Sequence, residues 1–134
     1  MAIRLIRRPT GLGEPLGRYS HVAVGRGELV AVAGQVGMDA NGQLAGPDLT
    51  SQARQAYTNL GLALEAAGCG FGDVLKMGTY LVSADLIDEF MEARSSIFAE
   101  LYPGGDYPPN TLSVVARLVE PGIVFEVEAL AIRS

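Results

Sequence analysis

The chain has no tryptophan, one cysteine (Cys69) and one histidine (His21) in 134 residues. A single cysteine excludes an internal disulfide. With one Cys and one His far apart in sequence, neither a zinc site nor a Cys–His nucleophile pair is expected. Cys69, in the glycine-rich segment AAGCGFGD, is read as structural or incidental. Charge is also scarce: 19% of residues are charged and 49% are hydrophobic, which excludes a disordered chain. Long apolar runs are missing, since none reaches the roughly 18–20 residues that a membrane span takes. The basic start MAIRLIRRPT lacks the apolar core and cleavage site of a secretory signal, so it is read as a first strand and a cytoplasmic location is expected. Finally, positive charge is deficient. The net charge is −5 and the isoelectric point about 4.8. Arg4, Arg7 and Arg8 make no stripe able to neutralise a phosphate backbone, so no nucleic-acid partner is expected.

What is present is periodic. Residues 3–8 alternate apolar and basic, and residues 19–25 alternate again, both strand signals. Residues 28–38, ELVAVAGQVGM, are almost continuously apolar, as in a strand buried on both faces. Gly25-Arg26-Gly27-Glu28 between them predicts a hairpin turn. A helix is predicted from about Thr50 to Ala67, capped by Thr50 or Ser51 and closed by Gly68, with Ala53, Ala56, Leu60, Ala63, Leu64 and Ala67 as its apolar stripe. A strand follows at 74–83, with Leu75, Met77, Thr79 and Leu81 on one face. Leu86, Phe90, Ala93, Ile97 and Leu101 recur at helical spacing after a cap at Ser83 or Asp85. Two strands, 112–119 and 122–132, close the chain around a turn at Glu120-Pro121-Gly122. Six strands and two helices in this order predict one α+β domain over residues 1–134: a mixed sheet with two helices on one face.

Two helices cover only one face of such a sheet, yet several strands are apolar on both. In 122–132, Ile123, Phe125, Val127, Ala129 and Ala131 share one face, while Val124, Leu130 and Ile132 lie on the other. Soluble monomers rarely leave such a surface wet. Packing of several copies through the helix-free face is therefore expected, the alternative being closure of the sheet on itself within one chain. Glu126 and Glu128 sit on that second face, i and i+2, roughly 6.6 Å apart along the strand. Desolvation by a partner would raise the pKa of at least one of them and suit it to general acid–base work or to positioning water. The plainer reading is that both reach solvent at a sheet edge. Gln35, polar at the end of an apolar strand, either lines a pocket or satisfies a backbone group.

The series 18-RYSHVAVGRGELVAVAGQVGMDANGQL-44, 52-QARQAYTNLGLALEAAG-68, 73-DVLKMGTYLVSADLIDEF-90 and 113-SVVARLVEPGIVFEVEALAIR-133 resembles the RidA/YjgF family of enamine/imine deaminases and their relatives. The resemblance spans nearly the whole chain. It implies a chorismate-mutase-like fold and a homotrimer whose sheets form a barrel-like core, with small-molecule clefts between subunits. In deaminating members, an arginine before the VARL strand grips the substrate carboxylate and a glutamate of the last strand positions water; no cofactor is implied. Carried onto this chain, the glutamate is Glu126, an early tyrosine framing the pocket is Tyr19, and the backbone beside it is Gly34-Gln35. The arginine is absent. Its place falls on Asn110 when counted from 115-VARL-118 and on Thr111 when counted from Glu126.

An uncharged residue there forfeits the bidentate, charge-assisted grip of a guanidinium. Binding of 2-imino acids is then expected to weaken by roughly ten- to a few-hundred-fold. Arg94, where many deaminating relatives carry asparagine, could restore positive charge from the second helix, although a helix arginine is usually a solvated surface group. The resemblance therefore leaves three functions to weigh. One is a small-molecule protein of this family that is a poor imino-acid deaminase. Another is a true deaminase. The third is an endoribonuclease, which the acidic charge and the absence of a histidine pair oppose.

Overall fold

The computed structural model describes residues 3–134. Six strands and two helices form in chain order: β1 (Ile3–Ile6), β2 (Val22–Gly25), β3 (Glu28–Val36), α1 (Leu49–Ala66), β4 (Val74–Leu81), α2 (Ile87–Leu101), β5 (Asn110–Val114) and β6 (Phe125–Arg133). This is a mixed α+β fold. The central sheet has the order β3-β6-β4-β5, with β4 and β5 parallel and the other pairs antiparallel.

The strands do not all join one sheet. β1 and β2 form a separate antiparallel ribbon, and β3 pairs with β6 rather than with β2. The expected hairpin at residues 25–28 is therefore only a chain reversal. Its cause is close packing against the end of β6. Gly27 has a φ of +140°, and a methyl group on it would stand 2.5 Å from the Arg133 carbonyl oxygen. Gly25 packs against Ile132, Leu75 and Ile3, so the ribbon leans on the central sheet without continuing its ladder.

Helix α1 begins one residue earlier than predicted. Its cap is Asp48, whose carboxylate accepts from the Ser51 backbone N–H at 3.0 Å. That bond, joined by one from the Ser51 hydroxyl, holds the Asp48 carboxyl below its usual pKa. The chain enters α2 through a short 3-10 turn at Ala84–Leu86, capped by Ser83. The apolar stripes of both helices meet one face of the sheet. Leu49, Ala53, Leu60 and Leu64 of α1 and Phe90, Ala93, Ile97 and Phe98 of α2 pack with Met77, Leu81, Phe125, Val127 and Ala129 in one core. Tyr57 joins them, edge-on to Phe98 and 5.6 Å from Phe125. Ala63 and Ala67, expected in the stripe, are only half-buried.

Gln52 is a fully buried polar residue of this core. Its amide nitrogen donates to the carbonyls of Gly46 and Gly122, both at 2.9 Å, and its oxygen accepts from the Val124 N–H at 2.8 Å. All these contacts are to backbone, so a single side chain ties the approach to α1 to the approach to β6.

β5 is shorter than predicted and lies earlier, at 110–114 rather than 112–119, because the segment after Val115 leaves the ladder. A register shift between Val74 and Lys76 puts Val74 in the core and leaves Leu75 half-buried, out of line with Met77, Thr79 and Leu81. Among the described residues, no helix is long and apolar enough to cross a membrane.

Candidate functional site

Strand alternation places Lys76, Gly78 and Tyr80 of β4, Thr111 and Ser113 of β5, and Glu126, Glu128 and Leu130 of β6 on the face that no helix covers. Together with Ala31 and Ala33 of β3, most of these residues line a trough of about 690 Å3 across the sheet.

Each carboxylate on this face lies across a glycine of a neighbouring strand. A methyl group at Gly34 would overlap the Glu126 carboxylate. Gly34 falls within the register shift of β3 between Val32 and Gln35, which opens room for that side chain. Glu128 lies across Gly78, where an added methyl would stand 2.9 Å from its Oε1. The same oxygen accepts a short hydrogen bond from the Tyr80 hydroxyl. That bond, then desolvation, raises the Tyr80 pKa. Glu126 is half-buried, and its pKa is raised first by desolvation and then by the neighbouring Glu128 charge.

The remaining candidate residues are dispersed. Gln35 donates to the Ala33 carbonyl at 3.1 Å, bridging the irregular stretch of its own strand, and it also lines an open hollow with Met38 and Asn59. Asn110 pairs with Met77 on the helix side of the sheet, and its side-chain oxygen accepts from the buried Thr79 hydroxyl at 2.6 Å. Thr111, paired with Gly78, is the member of that pair which faces the trough.

Tyr19 sits in the loop before β2, where its hydroxyl accepts from the Leu16 N–H at 3.0 Å. That loop lies against α2, with Gly17 beside the Arg94 guanidinium and Arg18 reaching Ser95. Arg94 is not the solvated group expected of a helix arginine, being only 3% exposed. Its guanidinium stacks on Phe90 at 4.8 Å and donates to the Met91 sulfur, while its Nε has no partner. Burial lowers its pKa. It points into the helix side of the chain and brings no charge to the trough.

Within one chain, then, Glu126, Gly34 and Thr111 share the helix-free face. Tyr19, Asn110 and Arg94 do not. Sequence reasoning passed over Lys76 and Tyr80. Their signal was the other half of an alternation already visible in 74-VLKMGTYLVS-83, where the residues between the core positions are Lys, Gly and Tyr.

Comparison with known proteins covers almost the whole chain. The sequence model of the family described as Endoribonuclease L-PSP matches residues 11–133. A goat (Capra hircus) protein named 2-iminobutanoate/2-iminopropanoate deaminase is 36% identical over 120 residues, 89% of this chain and 82% of that protein. The RutC family protein YjgH of Escherichia coli is 33% identical over 115 residues, 85% of this chain and 82% of its own. Among solved structures, the Rid-family protein YyfB of Yersinia pestis, described as of unknown function, superposes with a TM-score of 0.86 at 31% identity. That match covers 99% of this chain and 100% of the other. E. coli TdcF, solved with bound serine, superposes at 0.71 with 28% identity, covering 100% and 99% of the two chains.

Proposed function

The chain belongs to the Endoribonuclease L-PSP family, the RidA/YjgF proteins, and from that premise we propose that it handles a small metabolite at the helix-free face, with Glu126 as the acid–base group, as a homotrimer packed through that face. The observation that carries this reading is the packing of the Glu126 side chain against Gly34. A carboxylate of raised pKa is seated where only glycine leaves it room, and Thr111, facing the same side, is uncharged. A half-desolvated carboxylate can take a proton from water as the water attacks, and return it to the leaving group.

The proposed trimer would also bring separated residues together. Tyr19 lies by α2 and Glu126 on the opposite face, so a site using both needs two copies of the chain. Arg94 is held in the interior and Asn110 is turned toward Thr79. No cation at these positions answers a carboxylate beside Glu126, so 2-imino acids are poor substrates. The preferred ligand is neutral or cationic at its reacting end.

The competing reading is an efficient imino-acid deaminase, favoured by the names of mammalian relatives such as the goat protein. Water would add to the C=N carbon, and collapse of the carbinolamine would expel ammonia and leave the keto acid. Release of 2-oxobutanoate from enzymatically generated 2-iminobutanoate separates the two. Slow wild-type turnover, raised by Thr111→Arg and less by Asn110→Arg, is expected. Fast wild-type turnover overturns the proposal. Unchanged turnover in Glu126→Gln removes the role given to that carboxylate.

A further inference from the structure

Three arginines meet on the helix side of the fold with no acid paired to them. Arg8, Arg54 and Arg133 form ion pairs with Glu14, Glu100 and Glu28, whereas Arg7, Arg18 and Arg94 take part in none among the described residues. Arg7 follows β1, Arg18 stands in the loop before β2, and Arg94 belongs to α2. Tyr107 gathers the first two. Each of their guanidinium carbons lies 5.9 Å from the centre of its ring, so the two charges are no further apart than twice that distance. The ring itself is fixed. It stacks on Phe98 of α2 at 5.8 Å, and the buried Ser20 hydroxyl donates to the Tyr107 carbonyl at 2.6 Å. Arg7 donates to the Tyr19 carbonyl at 3.2 Å and Arg18 to the Ser95 hydroxyl at 3.4 Å. Those bonds orient both side chains and leave their other N–H groups without a protein acceptor among the described residues. Asp106, next to Tyr107 in sequence, does not neutralise them. It turns to Gly104 and lines a separate hollow with Ile3 and Tyr102. Arg94 lies buried under Gly17 of the same loop, its Nε unpartnered. Burial first, and the Arg18 charge as well, lower its pKa. In a chain of net charge −5, positive charge is thus collected and left unanswered in one place.

We infer that Arg7 and Arg18, backed by the buried charge of Arg94, bind the phosphate group of a small phosphorylated molecule. Charge selects the class. A carboxylate carries a single charge, which one guanidinium answers in full. A phosphate monoester carries about −1.5 to −2 and three acceptor oxygens, enough for two guanidinium forks. A shared anion also screens the repulsion between neighbouring cations. One such pair serves a single phosphate and not a polymer backbone, which takes a stripe of cations. The inference rests on the proposed small-molecule site, because Tyr19, whose carbonyl holds Arg7, is the residue that the trimer would bring to a neighbour's Glu126. The phosphate then marks the end of the ligand away from its reacting group. A neighbouring copy packed there would wall this subsite without filling it, unless it brought an acid of its own.

Calorimetric titration at low salt and pH 8 with inorganic phosphate and phenyl phosphate, against acetate and benzoate, tests the class. Each phosphate is expected to bind at least about ten-fold tighter than the carboxylate set against it. Arg7→Gln and Arg18→Gln are each expected to lose that advantage. Arg54→Gln, which removes an arginine already paired with Glu100, is expected to keep it. Thermal melts and light scattering establish that the variants fold and assemble as wild type does. Equal binding of phosphates and carboxylates, no binding of either phosphate, or undiminished binding by the Arg7→Gln/Arg18→Gln double variant overturns the inference. So does loss of assembly in Arg7→Gln or Arg18→Gln, which would give these arginines to the contact between copies. Phosphate binding is read without turnover and is expected to be unchanged in Glu126→Gln, so this inference and the role of Glu126 fail separately.

Discussion

The two faces of the central sheet are built from the same strands and differ in almost every other respect. On the helix side, Met77, Leu81, Phe125, Val127 and Ala129 are at most 4% exposed. On the other side, Leu29 is 62% and Leu130 40% exposed, interspersed with Glu126, Glu128, Lys76 and Tyr80. The covered face is apolar and filled by large side chains. The bare face spends its volume on glycines, over which carboxylates lie flat. The two faces are thus divided by strand parity, odd positions of β6 turned to the helices and even positions to the bare side.

The contrast can be broken from either side. The largest effect is expected from Leu130→Glu. If copies pack through this face as proposed, a third carboxylate near Glu126 and Glu128 makes like charges face one another, which costs several kcal/mol. Light scattering is then expected to show a monomer, with the helical circular dichroism signal retained. A wild-type monomer would refute the assembly outright. On the covered face, Phe90→Ala is expected to cost about 3–5 kcal/mol in chemical denaturation, because Phe90 is fully buried and stacks on Phe125 at 5.8 Å. Thr79→Val keeps the shape but strips the Asn110 oxygen of its donor, and about 1–2 kcal/mol of stability is expected to go with it.

The smallest effect separates the faces by pH. The folded-state pKa of Glu126 lies above its ordinary 4.5. Its contribution to stability is therefore full at pH below that ordinary value and is lost as pH rises through the folded value. Glu126→Gln, permanently uncharged, is expected to match wild type in thermal melts near pH 4 and to melt slightly higher at neutral pH. The gain is small because solvent screens a half-exposed group.

Much of this division was legible in the residues themselves. The alternation in 125-FEVEALAI-132 assigns each side chain to a face without further information, and the spacing from Leu86 to Leu101 marks α2. Strand pairing was less accessible. Gly25-Arg26-Gly27-Glu28 has the composition of a hairpin turn, but local composition carries no trace of the Arg133 carbonyl against which Gly27 packs. Arg94 was misjudged for a similar reason. Helical periodicity places it on the inner side, yet only the approach of the loop at Gly17 and the ring of Phe90 make its burial possible. The choice between Asn110 and Thr111 depended on a register with β4 that is set by contacts more than thirty residues away in sequence.

Gln52 gives that parity its anchor. By clamping the Gly122 carbonyl and the Val124 N–H, it fixes the phase in which the chain enters β6. A slip of one residue would carry both glutamates into the aromatic core and turn Phe125 and Val127 out to water. The turn at residues 120–122 can thus vary in sequence more freely than in length after Gly122. The amide of a buried helix residue, on the opposite side of the sheet from Glu126, decides which way that carboxylate points.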